Sequence, residues 1–351
     1  MLQRNEGLGT DLTERQLRLL RLIVSDYIAS ASPVGSETVA RRHGLGLSSA
    51  TIRHDMALLE EEGYIAHPHT SAGRIPLDRG YRLYAESFAD DVSLPVADRR
   101  RIRHQFYQVE GAPEEWVRLA GNILARLVQN LALVTFPRAP QARLKDVRLV
   151  ALQEFLALLV VILQEARLRH QMVGFADPLT QEELDAIAQR LTAAFQGMSA
   201  AEIEASPVEF APAEQQVRQA VVHSLTADEA PAREDIHMEG LSAFLRQPEF
   251  STSPDGERLL AIMEVLETRS ALQTLVTRAR AARDLQVIIG SENPREELQD
   301  YSIVLMSYGI PGEAQGTIGV LGPTRMSYPR VIASVRYLGS VLSELVREIA
   351  G

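Results

Sequence analysis

The pattern of apolar and polar positions near the amino terminus predicts three short helices in succession. Thr13 and Gln16 form a capping box at the start of the first helix, whose apolar side chains fall on one stripe. The second helix is expected to be capped by Ser36 and to stop at a glycine. The third is capped by Ser48 and also stops at a glycine. Two short helices joined by a tight turn are typical of a helix-turn-helix.

The third predicted helix has one buried face and one open face. Its apolar stripe consists of Ile52, Met56 and Leu59. The opposite face and its flanks carry small residues and hydrogen-bond donors, namely Ala50, Thr51, Arg53, His54 and Ala57. A helix that enters the major groove of DNA needs small residues for close approach and donors that reach the base edges. We therefore interpret this helix as a recognition helix.

The residues that follow predict a small β-ribbon. Residues 64–67 and 74–76 have the composition of short strands, and residues 68–73 that of a turn. The ribbon tip contains no acidic residue, which suits a segment that lies along phosphates or in the minor groove. The order of elements predicts a winged helix-turn-helix, a module that reads double-stranded DNA. Periodicity alone leaves open an incidental helix-turn-helix in a larger helical fold.

The candidate DNA contacts fall into three groups. Arg41 and Arg42 lie beside the turn and are expected to contact backbone phosphates, although they also fit a solvated helix surface. Ser48 and Ser49 lie at a helix N-terminus, which favours a bound phosphate. The expected groove contacts are Ala50, Thr51, Arg53 and His54, and the expected ribbon contacts are His67, His69, Thr70, Ser71 and Arg74.

Downstream of residue 95 the pattern predicts a mixed region of helices and strands. The expected helices cover residues 98–110, 113–133, a segment that opens at Thr180, a long segment around 259–275, and 329–349. The expected strands cover 144–152, 156–172, 285–290, 301–308 and 316–321. Strands flanked by helices indicate an α+β domain, and the Pro-, Ala- and Glu-rich segment 197–256 indicates an insertion in it.

Composition narrows the possible classes of protein. The chain has no cysteine, which excludes disulfides, thiolate zinc sites and cysteine nucleophiles. The longest apolar run outside the alanine-rich helices, residues 155–163, is too short to span a bilayer. The first nine residues are polar and lack the apolar core of a signal peptide, so we expect a cytoplasmic protein without membrane contacts.

The net charge of −10 is unfavourable for a DNA-binding protein only if it is evenly spread. Between residues 181 and 269, acidic side chains outnumber basic ones by 17 to 6. The rest of the chain is therefore nearly neutral, and the acidity does not reach the N-terminal segment.

Metal binding and catalysis lack support in the sequence. His43, His54, His67 and His69 are not spaced as a pair of metal ligands on one helix face. No GxGxxG, P-loop or GxSxG motif is present, and no nucleophile is paired with a base. We therefore expect no cofactor, no metal site and no enzymatic activity.

Several runs in the chain resemble the signatures of the HrcA family of heat-inducible transcription repressors. The N-terminal runs are SSATIRHDMALLEEEGYI, PHTSAGRIP and GYRLY, and the C-terminal runs are IGSENP and GVLGPTRMSYPRVI. Two departures from the family pattern are His54, where asparagine is expected, and Leu77, where threonine is expected. The first affects the open face of the third helix.

The resemblance implies a fold of the multidomain α+β class. Its implied parts are a winged-helix DNA-binding domain over residues 1–76, a connecting helix or linker over 77–95, a GAF-like domain over 96–196 and 257–351, and an inserted dimerisation domain over 197–256. It also implies a homodimer that binds an inverted-repeat operator upstream of chaperonin and chaperone operons. A GroEL-type chaperonin is the implied partner that keeps the repressor active.

An alternative function is a transcription regulator that senses a small molecule in the GAF-like domain. The candidate ligand segments are residues 292–294 and 319–325. The glycines and prolines of these segments are equally suited to tight turns between strands.

Overall fold

The computed structural model describes residues 12–68, 73–88, 93–109, 113–138, 142–164, 168–229, 236–251, 256–268, 270–281 and 284–350. The chain divides into two compact units. The first unit contains Met1–Pro137, Asp235–Ile310 and Gly316–Gly351, and the second contains Arg138–Glu234 and Pro311–Gln315.

The helices and strands alternate along the chain in an α+β arrangement. The helices are α1 (Glu14–Ser30), α2 (Ser36–His43), α3 (Ser49–Glu61), α4 (Asp78–Phe88), α5 (Val96–Tyr107), α6 (Pro113–Val128), α7 (Gln181–Phe195), α8 (Ala200–Glu204), α9 (Pro212–Glu229), α10 (Leu241–Leu245), α11 (Pro248–Ser251), α12 (Glu257–Thr268), α13 (Ser270–Ala281) and α14 (Tyr328–Ala350). The strands are β1 (Ile65–Ala66), β2 (Ile75–Pro76), β3 (Leu131–Thr135), β4 (Leu144–Gln153), β5 (Leu156–Leu163), β6 (Leu168–Gly174), β7 (Ile236–Glu239), β8 (Gln286–Ile289), β9 (Tyr301–Ile310) and β10 (Ala314–Pro323).

The N-terminal helices lie where the local signals predict, except that Gly35 rather than Ser36 is the N-cap of α2 and no side chain caps that helix. The capping box of Thr13 and Gln16 is formed at the start of α1. The Ser48 side chain caps α3 by accepting a hydrogen bond from the Thr51 backbone amide at 3.1 Å. Side chains from all three helices are fully buried, among them Ile23, Val39, Ile52 and Leu59. These predictions of helix position are confirmed.

A two-stranded antiparallel ribbon follows α3. In it Ile65 pairs with Pro76 and Ala66 with Ile75. A backbone bridge between Val34 and Arg74 joins the ribbon to the segment before α2. Helix α4 then packs against α1, and its buried side chains include Tyr81, Tyr84 and Ala85.

The rest of the first unit is built around a five-stranded sheet with the strand order β7-β3-β10-β9-β8. Helix α14 lies against β9, α6 against β3, and α13 against β9. The core between α12, α13 and the sheet contains Phe244, Ile262, Leu272, Ile303 and Leu321. The strands predicted near 285–290, 301–308 and 316–321 and the final helix are confirmed.

One predicted helix is wrong in its extent. The helix expected over 113–133 ends at Val128, and residues 131–135 form β3. Because β3 is buried on both faces, its apolar run has no alternation that would distinguish it from a helix. The long helix expected around 259–275 corresponds to α12 and α13, and residue 269 between them lies outside the described residues.

The second unit contains a three-stranded antiparallel sheet, β4-β5-β6, covered on one face by α7 and α9. Its core includes Val147, Leu159, Val161, Leu191 and Phe195. The single strand expected over 156–172 is wrong, since the segment forms the two strands β5 and β6. Residues 165–167 between them lie outside the described residues.

The division into units does not follow the predicted domain boundaries. Strands β4–β6 pack with α7, α8 and α9 around one core, although the boundary at residue 197 separates them. Strand β7 pairs with β3, so residues 236–251 belong to the first unit rather than to the predicted insertion. The roles assigned to the segments, dimerisation included, stay predictions.

Candidate nucleic-acid interface

Helix α3 presents the two faces that the sequence predicts. Ile52, Met56 and Leu59 are buried. On the other side the exposed residues are Ser49, Ala50, Arg53, His54 and Ala57, with Glu61 in the last turn, and Thr51 is half-buried beside them. As far as Ala57 the open face is therefore a strip of small side chains with one guanidinium, one imidazole and hydroxyl groups, and its carboxylate, Glu61, lies at the C-terminal end of the helix.

Two of the hydroxyl groups at the start of α3, those of Ser48 and Thr51, already have intramolecular partners. Ser48 Oγ lies 2.9 Å from Thr51 Oγ1 in addition to capping the helix. Because a hydroxyl both donates and accepts, Ser48 keeps some hydrogen-bonding capacity for a phosphate. The N-terminus of α3 is exposed at Ser48, Ser49 and Ala50.

An ion pair between an exposed arginine and a buried carboxylate joins α3 to α1. Asp55 lies on the buried side of α3 and is fully buried. Arg15 Nε and Nη2 each donate to a different carboxylate oxygen of Asp55, both at 2.8 Å. The hydrogen bond and the charge of Asp55 raise the pKa of Arg15. This pair was not predicted from the sequence, where its signal was an acidic residue inside the apolar stripe.

The basic residues beside the turn differ in whether they form ion pairs. Asp26 on α1 lies 3.0 Å from His43 Nε2 and 3.8 Å from Arg42 Nη1. The Arg41 side chain is exposed and has no ion-pair partner among the described residues. Arg41 is therefore the more available of the two predicted phosphate contacts.

The ribbon residues are held by a carboxylate that comes from α3. Glu60 Oε1 lies 2.6 Å from His67 Nδ1 and accepts from the His67 amide at 3.1 Å. Arg74 Nη2 donates to Glu60 Oε2 at 3.1 Å, and the Arg74 side chain is only 15% exposed. The ribbon therefore has an acidic neighbour that its own sequence did not reveal.

The electrostatics of this cluster favour an ionised glutamate. Desolvation acts to raise the pKa of Glu60, but the hydrogen bonds from His67 and the charge of Arg74 outweigh it and hold this pKa below its ordinary value. The other predicted ribbon contacts, His69, Thr70 and Ser71, lie outside the described residues.

The candidate ligand segments of the alternative function take part in packing. The Asn293 side chain is buried and donates to the carbonyl oxygens of Gly290, Leu298 and Tyr301 at 2.9–3.0 Å. A Cβ atom on Gly319 would lie 2.4 Å from the carbonyl oxygen of Val304. Both segments therefore shape tight turns and close strand contacts.

Metal coordination finds no support in the described ranges. There, no group of three His, Asp or Glu side chains is arranged to hold an ion. Within the same ranges, no helix has the length and apolarity needed to cross a membrane.

Comparison with known proteins identifies the family. A family model described as the HrcA protein C terminal domain matches residues 114–332. A heat-inducible transcription repressor HrcA from Roseiflexus castenholzii is 41% identical over 354 residues, which cover 97% of this chain and 96% of that protein. The chain belongs to the HrcA family. A second HrcA repressor, from Dehalococcoides mccartyi, is 41% identical over 340 residues and 97% of each chain.

The similarity to HrcA proteins is close to full length. The two relatives each match over 97% of this chain, whereas the family model begins at residue 114, beyond α3 and the ribbon. A crystal structure of a hypothetical protein matches with a TM-score of 0.59 and 25% identity, covering 96% of this chain and 98% of the other. The α+β arrangement of this HrcA family member is thus also present in a solved structure.

Proposed function

We propose that this protein is a heat-shock transcription repressor that binds double-stranded DNA as a homodimer. The proposed target is an inverted-repeat operator upstream of chaperonin and chaperone operons, reached in the cytoplasm. Membership of the HrcA family supports the regulatory role. The observation that carries DNA binding is the open face of α3, which exposes small residues and donors above a fully buried stripe.

In this proposal α3 lies in the major groove. Arg53 and His54 reach base edges, and the small residue Ala50 lets the helix approach the bases closely. Arg41 contacts backbone phosphate beside the turn, with Arg42 near it. His54 stands where the resemblance to the HrcA signatures leads us to expect asparagine, so we propose that its base contact differs from that of other members.

The ribbon is proposed to contact the DNA backbone through Arg74 and His67. Glu60 orients both side chains, and its negative charge also opposes the approach of phosphate. We propose that Glu60 keeps the backbone contribution moderate, so that sequence-independent binding does not dominate.

A two-fold operator calls for two copies of the chain, because a symmetric dimer reads an inverted repeat. The open face of the β4-β5-β6 sheet supports this part of the proposal. Met172 is 68% exposed, Leu168 61% and Val150 47%. The register aligns Val150, Leu158 and Met172 in one cross-strand row, so the exposed apolar side chains are contiguous. We propose that a second copy covers this face.

The proposed control depends on a GroEL-type chaperonin that supports the folded repressor. A partner that helps the chain reach its native state raises the fraction able to bind DNA. When heat-damaged proteins occupy the chaperonin, that fraction falls and the operons are expressed. Family membership is the support for this step.

The test is a gel shift with a labelled chaperonin-operon promoter at stated salt. Purified protein is expected to shift the promoter and not a scrambled inverted repeat of the same length. Preincubation with chaperonin is expected to increase the bound fraction, and an excess of unfolded competitor protein to reverse the increase. Equal binding to promoter and scrambled DNA would contradict the proposed operator recognition.

A further inference from the structure

Helix α4 packs into the N-terminal module, which consists of α1 to α4 and the β1–β2 ribbon. The Leu77 amide at its start donates to the Tyr64 carbonyl oxygen at 3.0 Å. Gly80 lies so close to the same carbonyl that a Cβ atom would be 2.3 Å from it. Tyr84 and Ala85 are buried beside α1. Any group that holds α4 therefore also holds α3 in place.

The outer side of α4 is attached to the turn after β8. Arg82 Nε donates to Glu292 Oε1 at 2.8 Å, and Arg82 Nη2 donates to Glu292 Oε2 and, at 2.8 Å, to the Val287 carbonyl oxygen. Although charged, the Arg82 side chain is only 17% exposed. A two-pronged guanidinium contact of this kind fixes orientation as well as distance.

A second contact lies one turn earlier on α4. Asp78 Oδ2 accepts hydrogen bonds from the Ser291 amide at 2.8 Å and from the Ser291 hydroxyl at 2.7 Å. Gly290 has φ +48°, and a Cβ atom there would lie 2.4 Å from the Asp78 carboxylate. Glycine at this position therefore permits both the left-handed backbone and the close approach of α4.

A third contact holds the other end of the module. Arg325, between β10 and α14, donates to the Ile28 carbonyl oxygen on α1 at 2.6 Å. Glu249 holds the same guanidinium, with its Oε1 2.7 Å from Arg325 Nε. Between the two ends the rings of Tyr81 and Tyr328 are in contact, with centroids 5.9 Å apart.

We propose that Arg82, Asp78 and Arg325 are positioning residues for operator binding. In this proposal they do not contact DNA. They fix the orientation of the N-terminal module relative to the five-stranded sheet. In a dimer this restricts the positions that each α3 helix can take, which raises the effective concentration at which the second half-site is bound intramolecularly. The inference rests on the proposed function, since it presupposes a dimer on an inverted repeat.

The experiment compares the full chain with its Arg82→Ala variant on two DNAs. One carries the complete inverted repeat, and the other carries one intact and one scrambled half-site. We expect affinity for the complete site to fall about tenfold or more, because looser modules have a lower effective concentration at the second half-site. Affinity for the single half-site is expected to stay within about twofold, since α3 itself is unchanged.

Spacer length gives a readout that general destabilisation does not change. The wild-type protein is expected to prefer one spacing of the half-sites, and Arg82→Ala to bind spacers shortened or lengthened by one base pair nearly as well as the original. Arg103→Ala is the matched control, because Arg103 forms an exposed pair with Glu344 in the same unit. It is expected to keep both the affinity and the spacer preference.

The outcomes separate the two levels of the proposal. Failure of the wild-type protein to prefer the complete operator over scrambled DNA overturns the proposed function. If the wild type prefers it and Arg82→Ala keeps the ratio of complete-site to half-site affinity, only the positioning role is overturned. A rise in complete-site affinity also overturns it. Should Arg82→Ala fail to fold, Arg325→Ala at the opposite end is measured in the same way, with the same expected result.

Discussion

Glu60 Oε1 and His67 Nδ1 lie 2.6 Å apart, joining the last turn of α3 to the ribbon. Arg74 contacts the other oxygen of the same carboxylate. The ribbon is therefore attached to α3 through an ionised side chain, and the attachment depends on the charge of that group.

Acid is expected to weaken this attachment. Because the pKa of Glu60 is lowered in the folded protein, its contribution to stability is complete above the ordinary glutamate value of about 4.3 and is lost as the pH falls through the lowered pKa. Between pH 6 and about pH 3 the free energy of unfolding of Glu60→Gln should fall less than that of the wild type. Urea unfolding at several pH values measures the difference. Parallel curves for the two proteins would show that the pair makes no net contribution.

Glu60→Gln is also expected to strengthen binding to all DNA sequences. The substitution removes a negative charge beside Arg74 and His67 while keeping a side chain of the same shape. Affinity for operator and scrambled DNA should rise together, and the dependence of log affinity on log salt should steepen by about one unit. Glu61→Gln is the control on the same helix, since Glu61 is exposed and forms no ion pair with the ribbon residues that the structure describes. An equal gain from Glu61→Gln would assign the effect to net charge alone.

Substitutions of Arg53 and of Arg41 are expected to weaken DNA binding in different ways. Arg53→Ala should weaken the free energy of operator binding by about 1–3 kcal/mol, as loss of a base contact does. It should also reduce the sequence preference at one base pair. Arg41→Ala should weaken binding to every sequence and reduce the salt dependence by about one unit, as loss of a phosphate contact does. Titrations of operator and single-base variants at three salt concentrations distinguish the two. A uniform loss from Arg53→Ala would reassign Arg53 to the backbone.

Removing Arg15 should destabilise the N-terminal module and impair α3. Arg15→Ala leaves the Asp55 carboxylate buried without its partner, which is more damaging than removing both groups. The double variant Arg15→Ala with Asp55→Ala should therefore lose less melting temperature than the sum of the losses of the two single variants. Thermal melting followed by circular dichroism tests this. Strict additivity of the two effects would show that the ion pair has no coupling energy.

A charge placed on the open sheet face should prevent dimer formation. Met172→Asp puts a carboxylate into the proposed apolar contact, where it would have to be desolvated without a partner. Sedimentation is expected to change from dimer to monomer at micromolar concentration. Gln189→Asp, at an exposed position of α7 in the same unit, is expected to remain a dimer. If the Met172→Asp variant still sedimented as a dimer, the contact between the two copies would have to lie elsewhere on the chain.

Local signals predicted the local structure well. The capping groups at Thr13 and Ser48 and the apolar stripe of α3 act within a few residues, so the sequence was sufficient to place these helices. The same reasoning failed at residues 131–135, because an apolar strand buried on both faces has no period to detect.

Contacts between distant segments could not be predicted from pattern. Arg15 and Asp55 are 40 positions apart, and Arg82 and Glu292 are 210 apart. Nothing in the neighbourhood of either arginine selects its partner. Both members of the Arg82–Glu292 pair do lie in runs that resemble the HrcA signatures, so the resemblance marked the residues without indicating that they meet.

The pairing of β3 with β7 has a consequence for how fast the chain folds. Thr135 lies opposite Ile236, so neighbouring strands of one sheet are separated by about a hundred residues of sequence, most of which fold in the other unit. Pairings between distant segments close slowly, because the loop entropy is lost before the contacts form. Until that closure, the apolar edge of β3 stays unpaired, and an unpaired apolar strand edge is prone to non-native association. The dependence on a chaperonin that we propose would then begin with the topology of this sheet.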